Sequence, residues 1–306
     1  MMVVSGLLLV WVLLTLKTSR SDGQLVKQLH PYRKMLFHIM PSKTESVVFY
    51  EETLRAETLL AYTEKSRALF QADLNHLLVA ATGVALRENP EMNRFIRGCR
   101  LYQRSGVWLT FSMKRKKLEK ESRVAAVKLE IDGTENFEEL SKRINGLVDT
   151  ERSSALTYAD REMGFFAKVP RPILRGCVGL FSFLDYFNLL PGSFIEKDGL
   201  YTSAFIANLG SLGMKAGYHH LFEWGNCPVF ITLGEIEERA VIEEGAVVVG
   251  KVLPIRITYD ERIDDGLTAK GAVASLKRVL SEPQLHLGCI AEDGSDRFAL
   301  GAVRSR

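Results

Sequence analysis

The chain has 306 residues, of which 46% are hydrophobic and 25% are charged, a composition typical of a globular protein with a substantial buried core. The formal net charge is +3, from 40 basic and 37 acidic residues, and this balance excludes nucleic-acid binding that depends on overall charge. The four cysteines form no C-x-x-C pair, so neither a zinc site nor a disulfide framework is indicated. We expect reduced thiols, a cytosol-like compartment and no nucleic-acid partner.

The first element is an uncharged segment from Met1 to Leu16, rich in Leu and Val and followed by Lys17 and Arg20. At about 16 residues it is just shorter than the roughly 17 to 25 that a helix needs to cross a bilayer. It also lacks the positive n-region of a secretory signal. Positive charge on its C-terminal flank favours a domain on the cytoplasmic side. We expect residues 1–22 to form a hydrophobic N-terminal segment and candidate membrane anchor, with a misplaced start codon or a buried helix as alternatives.

The next hundred residues predict alternating strands and helices. Pro31 interrupts the basic segment before Met40, so this segment cannot be one smooth helix. Ser46 to Tyr50 predicts a short strand. Asp73 is placed to cap a helix with an apolar stripe, and Pro90 marks the end of that helix.

A second group of elements follows. Leu101-Tyr102 and Val107 to Met113 flank the turn-like tripeptide Arg104-Ser105-Gly106, a pattern that predicts a hairpin. Ser122 to Ile131 predicts a further strand, and Asn136 to Arg152 an amphipathic helix.

Residues 155–200 are rich in aromatic and aliphatic side chains, and Pro191-Gly192 closes this stretch. Because it contains Arg175 and Asp185, a membrane-spanning helix is disfavoured. We predict a helical pair that packs on the domain or lies on a membrane surface. Pro228 to Glu235 then predicts a strand.

The most informative stretch is the octet Tyr259–Gly266, of sequence Tyr-Asp-Glu-Arg-Ile-Asp-Asp-Gly. An alternating apolar run from Ala246 precedes it, and apolar residues at helical spacing from Leu267 follow it. The octet therefore predicts a strand-to-helix turn, a place where side chains are presented to ligands.

This octet resembles the signature Asp-His-Arg-x-x-Asp-Gly of the dihydrolipoyl acyltransferase catalytic domains of 2-oxoacid dehydrogenase complexes, within the chloramphenicol acetyltransferase superfamily. Asp260, Arg262, Asp265 and Gly266 match, and Glu261 occupies the histidine position. Two further motifs extend the resemblance to roughly residues 30 to 285, with residues 155–200 as an insertion. These motifs are Asn75 followed by Pro90 and Asn93, and the strand ending in Asn208-Leu209-Gly210.

The resemblance implies an α/β (α+β) fold, a chloramphenicol acetyltransferase-like two-layer sandwich with a mixed sheet and flanking helices. It places an acyltransferase-like domain at 23–288, with the helical insertion 155–200 and a tail at 289–306. It also implies a homotrimer with its site between subunits, and a coenzyme A thioester as substrate with no covalently bound cofactor. We identify no lipoyl domain in these residues, so we expect a divergent member of the family.

In the family, the signature histidine takes a proton from a thiol, and a serine or threonine on a facing strand stabilises the oxyanion. Both positions differ here, because they correspond to Glu261 and Ala207. A carboxylate with a pKa near 4.3 is a weak base for a thiol near 8.5, a gap worth roughly 6 kcal/mol. Asn208 faces the other side of the strand, and Ser203 lies roughly 13 Å along it.

The candidate catalytic residues are Glu261, Asp265, His219 and His220, the last two from the segment Tyr218 to Glu223 beside the expected substrate channel. A hydrogen-bonded histidine pair in a loop is the alternative for the histidines, and no ligand spacing indicates a metal site. The resemblance implies that Arg262 and Asp265 form a structural ion pair. Three hypotheses stay open: an altered acyltransferase, a trimeric pseudoenzyme that serves as a scaffold, and a membrane-associated partner protein.

Overall fold

The structure, a computed structural model, describes residues 12, 14–114, 124–152 and 169–302. Most of the predicted N-terminal segment and the first part of the predicted insertion lie outside these ranges. In the described ranges no single helix is long and apolar enough to cross a membrane, although helices Glu57–Phe70 and Leu74–Glu88, bent by 106° at their junction, pass that test as a pair.

In the residues that the structure describes, ten strands form two sheets. The large sheet has the order β2-β10-β8-β7-β5-β6, with β9 added to the far end of β10, and the small sheet has the order β1-β4-β3. Strand β7 is parallel to both β5 and β8, and the other neighbours are antiparallel, so the large sheet is mixed. The strands are β1 Gly23–Leu25, β2 Val47–Arg55, β3 Arg94–Arg97, β4 Arg100–Arg104, β5 Trp108–Lys114, β6 Val124–Glu130, β7 Ala204–Asn208, β8 Val229–Leu233, β9 Glu237–Glu243 and β10 Ala246–Asp260.

Helices cover one face of the large sheet and share one apolar core with it. Helix α3 is the central one, because ten of its fifteen residues are buried, as expected for a helix that is apolar all round. Asp73 caps it as predicted, and His76 completes the capping box. The α-helices are α1 Pro31–Ile39, α2 Glu57–Phe70, α3 Leu74–Glu88, α4 Phe137–Arg152, α5 Arg171–Tyr186, α6 Gly192–Lys197, α7 Gly266–Ser281 and α8 Pro283–Leu287.

The prediction of a hairpin around Arg104-Ser105-Gly106 is wrong. Strand β4 pairs with β1 and β3 in the small sheet, whereas β5 pairs with β6 and β7 in the large one. The turn thus carries the chain from one sheet to the other. The hairpin in this region is instead formed by β3 and β4, joined by Gly98 and Cys99, both at φ 56°. Two consecutive residues at positive φ are typical of the turns that close two-residue hairpins.

The described part of the predicted insertion contains α5 and α6. Several apolar side chains of α5 are exposed, among them Ile173 at 58% and Leu180 at 56%. The carboxyl end of α5 is fixed by a buried ion pair, in which Arg20 donates to Asp185 at 2.8 Å. The residues that directly follow the uncharged N-terminal segment are therefore fastened to this helix.

Candidate functional site

The octet Tyr259–Gly266 connects β10 to α7, as its pattern predicts. The strand ends at Asp260, whose backbone N–H donates to Pro228 O at 3.0 Å. The helix begins at Gly266, and Asp265 is its N-cap, with a carboxylate that accepts from Leu267 N and Thr268 N. These backbone donors hold the pKa of Asp265 below its ordinary value.

A buried ion pair inside the octet holds the turn in place. Arg262 donates to both carboxylate oxygens of Asp260, at 2.8 and 2.7 Å, and both side chains are almost completely inaccessible to solvent. Ser46 Oγ donates to the same carboxylate at 2.9 Å, and Arg262 Nη1 donates to Met40 O at 2.8 Å. The pair is therefore hydrogen-bonded on all sides, which a buried pair needs to offset its desolvation.

The prediction of an ion pair between Arg262 and Asp265 is wrong. The sequence places Asp265 one turn beyond Arg262, but the guanidinium points back into the protein, where Asp260 and Met40 O surround it. Asp265 is exposed instead and caps the helix. Asp264, which the sequence did not single out, carries the second anchor of the turn, through Arg33 at 2.7 Å and Arg94 at 2.9 Å.

Glu261 stands at the position of the signature histidine and is exposed. Its backbone N–H donates to Ser46 O at 3.0 Å, so its main chain is fixed. With the residues that the structure describes, its carboxylate makes no hydrogen bond or ion pair. Burial, helped by the charges of Glu261 and Asp265, raises the pKa of the neighbouring Tyr259. Within one chain, this position therefore presents an exposed carboxylate.

Ala207 lies near the end of β7, buried in a small apolar cluster with Phe205 and Phe230 on the sheet face opposite the helices. Its register partner on β8 is Thr232, whose hydroxyl donates to Gly217 O at 2.5 Å. Ser203, which the sequence offered as a distant substitute, accepts from Trp108 N at 2.9 Å. Both hydroxyls are therefore engaged within the chain.

Asn208 points to the other side of the sheet, as the strand alternation predicts. Its side-chain amide donates to Asn75 Oδ1 on α3 at 2.8 Å, and its carbonyl oxygen accepts from Ser211 N at 3.0 Å. The two asparagines that the family motifs share are thus bonded to each other. They join helix α3 to the end of β7, which is a structural role and not an oxyanion contact.

His219 lies on the same sheet face as Ala207. Its ring stacks on Phe230 with centroids 3.9 Å apart, and His220 stacks on it in turn at 4.8 Å. His219 Nδ1 is 2.7 Å from His220 O. Because a carbonyl only accepts, Nδ1 carries the proton in this contact, which leaves Nε2 of the neutral ring as an acceptor. The predicted hydrogen-bonded histidine pair is therefore present.

Within one chain the structure does not bring Glu261 and Ala207 together. Tyr259 pairs with Val229, whereas Ala207 pairs with Thr232. Tyr259 and Ala207 therefore differ by three residues along the sheet, about 10 Å, and by two strand spacings, again about 10 Å, and Glu261 lies two residues further from Ala207 than Tyr259 does. The resulting separation of about 14 Å or more is too large for a base and an oxyanion donor to act on one acyl group.

Lys43 is a residue of this region that the sequence did not reveal. Its buried ammonium group donates to Phe222 O at 2.8 Å and Gly225 O at 3.0 Å, and burial lowers its pKa to about 8. It connects the segment next to the octet with the histidine loop. A lone lysine between α1 and β2 carries no sequence signal for this role. Among the described residues, no group of three or more His, Cys, Asp or Glu side chains could hold a metal ion.

Comparison with known proteins agrees with the family resemblance that the octet indicates. Residues 197–287 match the family model of the 2-oxoacid dehydrogenases acyltransferase (catalytic domain). The dihydrolipoyllysine-residue acetyltransferase component of the pyruvate dehydrogenase complex of Bacillus subtilis (strain 168) is 32% identical over 136 residues. This alignment covers 42% of the chain but only 29% of that relative, so the chain spans less than a third of its length.

Solved structures share the fold. The probable dihydrolipoamide acetyltransferase from Listeria monocytogenes has a TM-score of 0.57 at 14% identity and covers 90% of this chain and 99% of its own. The Azotobacter vinelandii dihydrolipoamide acetyltransferase was studied for the catalytic roles of a serine, a histidine and an asparagine. It has a TM-score of 0.54 at 15% identity, and the match covers 85% of this chain and 93% of that one. A chloramphenicol acetyltransferase has a TM-score of 0.51 at 14% identity, and the match covers 84% of this chain and 99% of that one.

The chain thus has the predicted chloramphenicol acetyltransferase-like fold, with a mixed sheet and flanking helices. The predicted resemblance to the family of the 2-oxoacid dehydrogenases acyltransferase (catalytic domain) is confirmed over residues 197–287, where the family model matches.

Proposed function

We propose that this chain forms a homotrimer of the acyltransferase type in which the acyl transfer of its relatives is lost, while a coenzyme A thioester is kept as a ligand of the channel between subunits. The carrying observation is the state of the two positions that match the catalytic histidine and serine of the relatives. Within one chain, Glu261 is an exposed carboxylate, and the buried methyl group of Ala207 offers no hydroxyl at the position of the serine. Loss of one oxyanion donor alone costs about 10² to 10³ in rate.

The separation of Glu261 and Ala207 supports the trimer. The family resemblance implies that the signature turn of one subunit faces the hydroxyl strand of the next, and this arrangement can join positions that lie about 14 Å apart within one chain. A second support is the hairpin of β9 and β10. Ile242, Val247 and Val249 share one face of it and are exposed at 79%, 74% and 75%. A second copy of the chain would cover this apolar strip.

Light scattering tests the assembly. We expect three times the chain mass at micromolar concentration, and Val247→Lys should lower this mass because it places a charge in the subunit contact. Leu69→Lys is the matched control, since Leu69 on α2 is also exposed, at 61%, but lies far from the hairpin in the chain. A wild-type monomer would contradict the shared site. Titration calorimetry with acetyl-coenzyme A then tests the ligand, and absence of heat with a verified trimer would remove the channel-binding role.

His219 favours a second candidate function, acyl transfer with an imidazole base at a new place. Its Nε2 makes no hydrogen bond with the described residues and lies on the sheet face that also holds Ala207. In this reaction Nε2 would take the proton of an acceptor thiol, the resulting thiolate would attack the acyl carbonyl of the thioester, and the coenzyme A thiolate would leave and take the proton back from the imidazolium. Turnover of an acyl thioester that is lost in His219→Asn but kept in His220→Asn would favour this candidate and contradict the loss of activity.

We also propose that the protein lies at the cytoplasmic side of a membrane. Support comes from Arg20, which binds Asp185 at the end of α5, and from Lys17, whose carbonyl oxygen accepts from Asn188 at 2.8 Å. The residues that follow the uncharged segment therefore lie at the end of a helix with exposed apolar side chains. Flotation with anionic lipid vesicles should recover the full chain and not a chain without residues 1–16. Recovery of both forms in the soluble fraction would contradict the proposal.

A further inference from the structure

A cavity of about 480 Å³ lies within the subunit, between helices α3 and α7 and the strands β2, β8 and β10. Pockets of roughly 300 to 1,000 Å³ are typical of sites for small organic molecules. The walls are mainly apolar, and the side chains that form most of them are Ala85, Leu86, Met92, Ile257, Ala269 and Val273.

Thr82 places an unsatisfied polar group in this wall. Its side chain is 97% buried, and its hydroxyl makes no hydrogen bond within the part of the chain that the structure describes. A threonine inside a helix usually donates to the carbonyl four residues before it, as Thr63 does to Leu59 O at 2.7 Å in α2. A buried hydroxyl without a partner costs about 1 to 3 kcal/mol. The cavity is therefore apolar, with one hydroxyl group that can still form a hydrogen bond to an oxygen atom of a ligand.

The rim of the cavity is charged. Lys277 pairs with Glu52 at 3.0 Å, and Tyr50 also donates to Glu52. Lys270 lines the cavity as well, is exposed, and makes no ion pair with any described residue. The rim thus carries two ammonium groups and one carboxylate, a balance that favours an anionic group on the ligand.

This cavity is separate from the site between subunits. Along β10, Tyr259 faces the helices and lines the cavity, whereas Asp260 faces the opposite side, where the histidine loop and Ala207 lie. A ligand in this cavity would contact the octet only from the face of the sheet that the helices cover. The inference therefore goes beyond the proposed function and does not depend on it.

We propose that the cavity binds an aliphatic carboxylate with a second oxygen at the far end of its chain. The carboxylate lies at the rim beside Lys270, the hydrocarbon chain fills the space between α7 and the sheet, and the distal oxygen bonds to the hydroxyl of Thr82. The chemical class is that of hydroxy fatty acids of medium length.

The test is a binding cycle on the full chain, with octanoate, decanoate and dodecanoate and their terminal hydroxy derivatives as probes, measured by titration calorimetry. In the wild type, we expect the terminal hydroxyl to tighten binding of the best-fitting acid by about two- to tenfold. In Thr82→Val, which keeps the shape but loses the hydroxyl, this advantage should disappear while the plain acid still binds.

Two further variants fix the orientation of the ligand. Lys270→Gln should weaken binding of the acids by about two- to fivefold and leave the affinity for their methyl esters unchanged. Lys65→Gln, an equal loss of charge on the exposed face of α2, should change neither. Absence of binding by every probe up to about 1 mM would overturn the proposal. An advantage of the terminal hydroxyl that persists in Thr82→Val would overturn it equally.

Discussion

The octet and the end of β7 are the two regions that the family resemblance places in one active site, and the structural contacts that they retain differ in extent. The octet keeps its buried anchor, in which Asp260 is bonded by Arg262 and Ser46. The end of β7 keeps only Asn208, bonded to Asn75, while the neighbouring position is Ala207. Both regions retain the residues that join secondary-structure elements. Both have exchanged the group that the family resemblance places against a substrate.

This contrast teaches that a catalytic signature contains two kinds of residue. Asp260 and Arg262 face inward and satisfy each other, so their replacement would leave a buried charge. Glu261 lies between them in the chain but faces solvent, so the fold places few demands on its side chain. A match over most of a signature therefore indicates the fold more strongly than the reaction.

The largest expected effect concerns the inner residues. Asp260→Asn should lower the free energy of unfolding by about 3 to 5 kcal/mol, because it leaves the buried guanidinium of Arg262 without its counter-charge. Asp149→Asn, which removes an exposed carboxylate on α4, should change it by less than about 0.5 kcal/mol. Chemical denaturation of both variants measures the difference. Equal stability of Asp260→Asn and the wild type would show that the anchor is not what holds the octet.

A pH-dependent effect is expected at Lys43, which joins the segment next to the octet to the loop that follows His219 and His220. Burial lowers its pKa to about 8 from the ordinary 10.5, so between these values the unfolded chain binds more protons than the folded one. Stability contributed by this group should therefore rise with pH across the interval, by up to about 3 kcal/mol. The difference in unfolding free energy between wild type and Lys43→Met should show this rise. A difference that stays flat from pH 8 to 10.5 would mean that the ammonium group is not buried.

Local features were predictable from the sequence because their causes are local. The alternation before Tyr259 and the helical spacing after Gly266 defined the turn, and Asp73 marked a helix start that the structure confirms. The partner of Arg262, which the family resemblance implied to be Asp265, was predicted wrongly, because shared motif residues do not show that the guanidinium turns inward to Asp260 and Met40 O. The hairpin after β4 was wrong because a turn-like tripeptide does not reveal that its flanking strands enter different sheets.

The candidate site was only partly predictable for a similar reason. Glu261 and Ala207 were found as substituted positions, but their distance within one chain depends on strand register, which the sequence does not specify. The roles of Lys43, Ser46 and Asp264 come from contacts between segments that are far apart in the chain. Such contacts leave no local pattern.

A smaller effect is expected at the edge of the octet. Asp265→Ala should lower Tm by about 2 °C, because it removes the N-cap of α7. Asp265→Ser should restore most of the loss, since a serine hydroxyl also accepts from the first backbone N–H groups of a helix. Thermal melting of the two variants distinguishes a cap from a charge effect. A loss that serine does not repair would point to the charge of Asp265 and not to capping.

The smallest effect on stability, and the most direct test of the central claim, concerns Glu261. The measurement is thiol release from a panel of acyl-coenzyme A compounds by wild type and Glu261→Gln, with melting curves recorded alongside. Because the carboxylate is solvated and unpaired with the described residues, we expect Tm to agree within about 1 °C, and neither protein to turn over any compound. Turnover by the wild type that disappears in Glu261→Gln at unchanged Tm would contradict the loss of acyl transfer and identify Glu261 as a general base.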